Sequence, residues 1–214
     1  MDVPRSPRRR VAVGVIAVLV LAALGVGIAQ GGNEVRSPDA VPSLAQARED
    51  VADAPPALAR VYSRAATVLG LDRAGYDRYV RALRGHPVVI NAWYADCAPC
   101  REEFPILRRA AAEHGDRIAF LGINTADDRA KAQAFVDGQP TIYPHVLDRG
   151  AAIARGYGAG SVSPSTVILD ARGEVAAVHA GVYASLDELE RDLRRYAGAA
   201  ATPQATTSQE DRAR

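Results

Sequence analysis

The stretch Val88-Val89-Ile90-Asn91-Ala92-Trp93-Tyr94-Ala95-Asp96-Cys97-Ala98-Pro99-Cys100 decides the reading of this chain. It opens with an apolar run that has the character of a buried strand. It ends on the two cysteines of the protein, separated by two residues. A strand leading into a Cys-x-x-Cys turn and then a helical segment is the layout that thiol–disulfide exchange requires. The first cysteine meets the unpaired N–H groups of a helix start, and these, with the helix dipole, favour the reactive thiolate.

Working outward, residues 97–114 read as a helix kinked at Pro105, and residues 118–123 as a second buried strand. A helix over residues 126–136 is opened by Asp127 and Asp128. Residues 143–147 form a short third strand, and residues 151–157 a helical turn. Residues 166–170 and 174–180 flank Ala171-Arg172-Gly173 and make a β-hairpin. The last helix covers residues 185–196, with Ser185 and Glu188 spaced as a capping box. Strands alternating with helices, followed by a hairpin and a helix, predict an α/β sandwich around a mixed central sheet over residues 87–197.

Ahead of this domain, residues 55–86 show apolar residues at three- and four-residue steps (Leu58, Val61, Ala65, Val68 and Leu69), which predict a helical extension. Residues 30–54, rich in small, polar and proline residues, read as a linker. Residues 11–29 carry no charge, and as a helix they would span about 28 Å, enough for a bilayer core. Arg5, Arg8, Arg9 and Arg10 precede that run within the basic segment 1–10, and no basic cluster follows it. The positive-inside rule then places residues 1–10 in the cytoplasm and the domain outside the cell membrane, as a single-pass protein. Gly27-Ile28-Ala29 offers a small-residue cleavage site, so a cleaved signal sequence is the competing reading. The length of the apolar run favours an anchor. Residues 198–214 are Ala/Thr/Gln/Ser-rich and read as a disordered tail.

With 26 basic and 25 acidic residues, the chain lacks the basic excess of a nucleic-acid binder. Lys131 is its only lysine. Both cysteines are committed to one tight pair, and a disulfide closing so short a loop restricts the unfolded chain little. Stabilisation therefore does not account for them. The four histidines, His86, His114, His145 and His179, show no metal-ligand spacing, and no metal or organic cofactor is expected.

Several motifs in order resemble the thioredoxin superfamily, and within it the TlpA/ResA-like membrane-anchored thiol–disulfide oxidoreductases. They are the strand into Trp93, Cys97-Ala98-Pro99-Cys100, Glu103-Phe104-Pro105, Ile123-Asn124 with Asp127-Asp128, and Val162-Ser163-Pro164-Ser165-Thr166 running into Val167-Ile168-Leu169-Asp170. The resemblance implies a thioredoxin-like fold and a Cys97–Cys100 redox disulfide. Cys97 would be the accessible attacking sulfur, and the more buried Cys100 would resolve the mixed disulfide. It also implies a cis bond at Pro164, with Ser163, Pro164 and Trp93 at the place where a substrate docks. Protein disulfides or dithiols would be the substrates, reduced as in cytochrome c maturation or among secreted thiols generally, with a membrane-embedded electron donor as partner.

Three departures from the family pattern stand out. Asp96 replaces the usual tryptophan before the first cysteine and should oppose thiolate formation there. Asn91 stands where thioredoxins bury an aspartate, leaving Glu103, one turn beyond Cys100, as the candidate proton-handling carboxylate. A helical region occupies residues 55–84, where many relatives begin with a β-hairpin. The rival reading is a thioredoxin-like adaptor whose cysteines are non-catalytic. Because Trp93 is the only tryptophan, fluorescence of the protein should change on dithiol reduction if this residue lies beside the sulfurs; an unchanged spectrum would place it elsewhere.

Overall fold

A computed structural model describes residues 41–198. The expected anchor at residues 11–29, the start of the linker and nearly all of the tail lie outside the described residues. Among those described, no helix is long and apolar enough to cross a membrane.

The framework is one six-stranded mixed sheet. Its strands are β1 (Val68–Leu69), β2 (Val88–Trp93), β3 (Ala119–Asn124), β4 (His145–Leu147), β5 (Ser165–Leu169) and β6 (Val175–Ala180). They lie in the order β1-β4-β3-β2-β5-β6. Strands β1 to β4 pair in parallel, and β5 and β6 pair antiparallel. Every residue of β2, β3 and β5 is buried, as expected of central strands covered on both faces. The edge strand β6 alternates towards solvent. Parallel neighbours need long crossovers, and these are supplied by α4 (Ala98–His114) between β2 and β3 and by α5 (Arg129–Gly138) between β3 and β4. Strands β5 and β6 need only a tight turn. Asp170 Oδ1 accepts from the N–H groups of Arg172 and Glu174 at 2.9 and 3.0 Å, and Gly173 takes φ +83° there, a conformation glycine adopts without steric cost.

Most expected elements are present with shifted ends. Helix α4 runs unbroken through Pro105. The helix expected from residue 126 begins instead at Arg129, with Asp128 as its cap accepting from Lys131 N–H at 2.9 Å. The last helix is α7 (Leu186–Asp192), continued as a π-helical turn, Leu193–Ala197. Its capping box is half formed. Ser185 Oγ accepts from Glu188 N–H, while the Glu188 carboxylate accepts from Ala184 rather than from Ser185. Helix α6 (Ala152–Gly156) sits at the expected helical turn.

The amino-terminal part corrects two expectations. Residues 55–86 are not uniformly helical: α2 (Pro56–Tyr62) and α3 (Arg73–Arg81) flank β1, the sheet's edge strand. Helix α5 holds that edge. Gln133 accepts from Val68 N–H at 2.9 Å and donates to Ala66 O at 2.9 Å, and Arg129 donates to Val68 O. Nor are residues 44–54 a free linker. Helix α1 (Leu44–Asp50) and Val51 bury Ala47 and Val51 in the main core. A Cβ at Gly115, at the end of α4, would lie 2.5 Å from Val51 Cγ1. Tyr62 Oη donates to Ile118 O at 2.5 Å. Helices α1 and α2 are thus packed on the junction of α4 and β3.

A second, smaller core gathers Val68, Trp93, Ala95, Cys97, Cys100, Phe104, Ala132, Phe135 and Val136. Its neighbour is His145, fully buried on β4 opposite Gly122. The Trp93 indole N–H donates to His145 Nδ1 at 3.1 Å. The ring's proton then belongs on Nε2, where it donates to Thr141 Oγ1 at 2.9 Å, and Thr141 donates to Tyr143 O at 2.7 Å. A Cβ at Gly122 would lie 1.9 Å from His145 Nδ1. Gly122→Ala should therefore displace the imidazole and lower stability by about 1–3 kcal/mol, measured by denaturant unfolding; an unchanged midpoint would show that the ring is not tightly held.

Candidate active site

Cys97 is the residue that caps α4 and is also one partner of a disulfide to Cys100. Its Sγ accepts from Cys100 N–H at 3.1 Å. The sulfur thus already faces the donors that a thiolate needs, at the positive end of a long helix. Both sulfurs are closed to solvent in this oxidised state: Cys97 is 1% exposed and Cys100 0%. The accessible first sulfur expected from sequence is not what the structure shows. The exposed residues are its neighbours Asp96, Ala98 and Pro99. A thiolate attacks a disulfide along the S–S axis, and in this state neither cysteine presents an open surface to such an approach.

The approach to Cys97 is pinned at Ala95. Its N–H donates to Asp127 Oδ2 at 2.6 Å, and its carbonyl accepts from Arg101 at 3.1 Å. The Arg101 guanidinium lies 4.8 Å from the centre of the Phe135 ring. Asp127 is buried, and burial would raise its pKa. The donors Asn124, Ala95 and Lys131 outweigh that and hold it below the usual carboxylate range. By its place before a helical run Asp127 is expected to open the helix, but Asp128 is the cap. The real work of Asp127 is three-way: it ties the active-site loop to β3 through Asn124 (2.8 Å) and to α5 through Lys131 (3.2 Å).

Trp93 is fully buried, edge-on to Phe104 and His145. With no surface to offer, it is packing beneath the cysteines rather than a substrate contact. The Ser163–Pro164 bond is cis, as the resemblance implied. Ser165 Oγ donates to Val162 O at 2.6 Å and accepts from Gly160 N–H at 3.3 Å, fixing the loop that carries Ser163. Ser163 is half-buried, Pro164 buried, and Val162 is 51% exposed.

Glu103 is completely buried. Its Oε2 accepts from Asn91 Nδ2 at 2.8 Å, and its Oε1 accepts from Tyr183 N–H at 2.9 Å. Burial raises its pKa to about 7, the two donors only moderating the rise. Asn91, on the central strand, thus orients the Glu103 carboxyl. His145 moves the other way: burial alone lowers it to about 3, so the ring is neutral at physiological pH.

Of the other histidines, His114 comes together with Glu113 and Glu190, ligand atoms within 4.8 Å of one another. Arginines occupy that cluster: Arg109 on Glu113 at 2.8 Å, Arg194 on Glu190 at 3.3 Å, and Arg117 on His114. It is an ion-pair knot rather than a ready cation site.

A parallel-then-antiparallel sheet, a disulfide capping the first long helix and a cis-proline loop together define a thioredoxin-like thiol–disulfide protein. The chain belongs to the Redoxin family, whose model matches residues 69–193. It is 29% identical over 125 residues to the thiol-disulfide oxidoreductase ResA of Halalkalibacterium halodurans, covering 58% of this chain and 70% of that one. It is 36% identical over 125 residues to the thiol:disulfide interchange protein DsbE of Allochromatium vinosum, covering 54% and 65%. A thioredoxin-family thiol:disulfide interchange protein from Chlorobium tepidum superposes with a TM-score of 0.50 at 24% identity, covering 55% of this chain and 83% of that one, which supports the fold. The protein is a thiol–disulfide oxidoreductase of the ResA/DsbE type.

The raised Glu103 pKa predicts a pH signature. A carboxyl whose folded pKa lies near 7 and whose unfolded pKa lies near 4.5 costs the folded state nothing below the lower value. It destabilises progressively as pH rises towards the upper one. His145 acts oppositely, losing stability as pH falls from about 6.5 towards about 3. In the difference between Glu103→Gln and wild type the histidine cancels. That difference in melting temperature should shift in favour of the variant between pH 4.5 and 7.5, and a flat difference would mean that Glu103 is ionised throughout.

Proposed function

We propose that this protein is a membrane-tethered, extracytoplasmic reductant of protein disulfides. The observation that carries the reading is the Cys97–Cys100 pair at the start of α4, with a buried carboxyl of near-neutral pKa one turn beyond it. In the reduced protein the Cys97 thiolate attacks a substrate disulfide. One S–S bond breaks, the mixed disulfide forms, and the leaving sulfur departs as a thiolate. Glu103 takes the proton of Cys100, whose thiolate then attacks Cys97 Sγ. The second substrate thiol is released, and the Cys97–Cys100 disulfide closes as two electrons pass to the substrate. A carboxyl titrating near neutrality suits both directions of that proton transfer.

Ser163 and Pro164, on the loop held by Ser165, are the docking side of the site, and the exposed Val162 offers an apolar contact beside them. The uncharged segment at residues 11–29, preceded by four arginines, supports tethering with the domain outside the membrane. The substrates are then disulfides of secreted proteins, those of apocytochrome c included, and a membrane-embedded dithiol protein restores the reduced form.

Cys97→Ser should abolish reduction of a model protein disulfide such as insulin. Cys100→Ala should accumulate mixed disulfides in cells, which non-reducing gels and mass spectrometry would identify. Full biological activity of the Cys97 variant would return the chain to the adaptor reading, and a reduction potential near that of a strong oxidant, about −120 mV, would overturn the assignment as a reductant.

A further inference from the structure

The only lysine of the chain is not spread over the surface with the arginines but stands beside the active-site loop. Lys131 Nζ lies 2.5 Å from Asp96 Oδ2 and 3.2 Å from Asp127 Oδ1. Two features of this placement need a reason. Lys131 occupies the first turn of α5, the positive end of a helix dipole, where anions are favoured and a cation is not. The Asp96 pair is also open to water, the two side chains being 46% and 75% exposed. Exposed pairs contribute about 0–1 kcal/mol to stability, so global stability does not explain it.

What the pair does reach is the residue directly before Cys97. An uncompensated carboxylate at position 96 would repel a thiolate at position 97 and raise its pKa. We propose that Lys131 sets the acidity of Cys97, by holding Asp96 in a neutral pair against α5 so that the helix N-terminus alone governs the thiolate. This deepens the functional reading above and rests on it, naming Lys131 as a positioning residue of the redox site.

The remaining charges around the loop are accounted for. Asp127 is held ionised by Asn124, Ala95 and Lys131. Asp128 is spent on the Lys131 N–H as the cap of α5. Arg101, on α4, is turned to Ala95 O and the Phe135 ring. Glu102 is exposed, and Glu103 is buried against Asn91 and Tyr183. Residues 161–164 of the facing loop carry no charge. Lys131 itself is firmly cationic, its pKa raised first by the bond to Asp96 and then by that to Asp127.

The test is a titration of Cys97 in the full reduced chain carrying Cys100→Ala, read as the pH dependence of its alkylation by iodoacetamide. Lys131→Gln should raise the midpoint by roughly 0.5–1 pH unit, Asp96→Asn should lower it, and Lys131→Arg should keep it near the parent value. The double variant Asp96→Asn/Lys131→Gln should return close to the parent, which the loss of a merely structural prop would not do. An unmoved midpoint in Lys131→Gln, or a double variant as displaced as Lys131→Gln alone, would overturn the proposal. Circular dichroism confirms that each variant folds. Reduction of insulin by the wild-type protein is scored separately, so failure of the oxidoreductase reading shows there and failure of the Lys131 proposal shows in the titration.

Discussion

Strand β2 is hydrogen-bonded along both edges, and its two registers decide what stands beside the cysteines. On the parallel side Trp93 is opposite Asn124, which brings the end of β3 to the active-site loop and lets Asn124 and Asp127 grip Ala95. On the antiparallel side Ala92 is opposite Ser165, which sets the cis-proline loop alongside the start of α4. A slip of one residue in either pairing would reverse the faces of β2 and move Asn91 away from Glu103. The burial of all six residues of β2 keeps that register from drifting.

The electrostatics of the site follow from this burial. Glu103 and His145, which have no oppositely charged partner, are taken out of water beneath the site, and each responds in the direction that leaves it neutral. Glu103 keeps its proton to about neutrality, and His145 gives its proton up. The polar groups that stay charged, Asp127 and Lys131, are those with charged or backbone partners on the rim. The interior beneath the disulfide therefore carries little fixed charge, while the rim carries paired charge. A chemistry that moves a proton at each sulfur transfer suits that division.

The central strand, the cysteine turn, the two crossover helices and the hairpin were legible because each has a strong local signal: continuous apolar runs, a Pro-flanked Cys-x-x-Cys, acidic caps and a glycine turn. Val68 and Leu69 were misread because two residues cannot display a period. Their strand state comes from the β4 neighbour and from Gln133 and Arg129, all distant in sequence. Helix α1 resembles a linker because its composition is polar, yet Leu44, Ala47 and the following Val51 dock it where Gly115 leaves room. In the site, the cysteines, Pro164 and Glu103 carried recognisable motif positions. Arg101 and His145 did not, because their importance lies in contacts made across the fold; Asp127 stood in a motif position that says nothing of its bond to Ala95, and Trp93 lies beside the sulfurs as core packing.

The cover over Cys97 has a consequence for the disulfide itself. The segment leading into it is held at Ala95 by Asp127 and Arg101, so the sulfurs sit behind a bonded chain rather than a loose one. The oxidised disulfide is in this sense insulated, both of its sulfurs lying behind the protein surface.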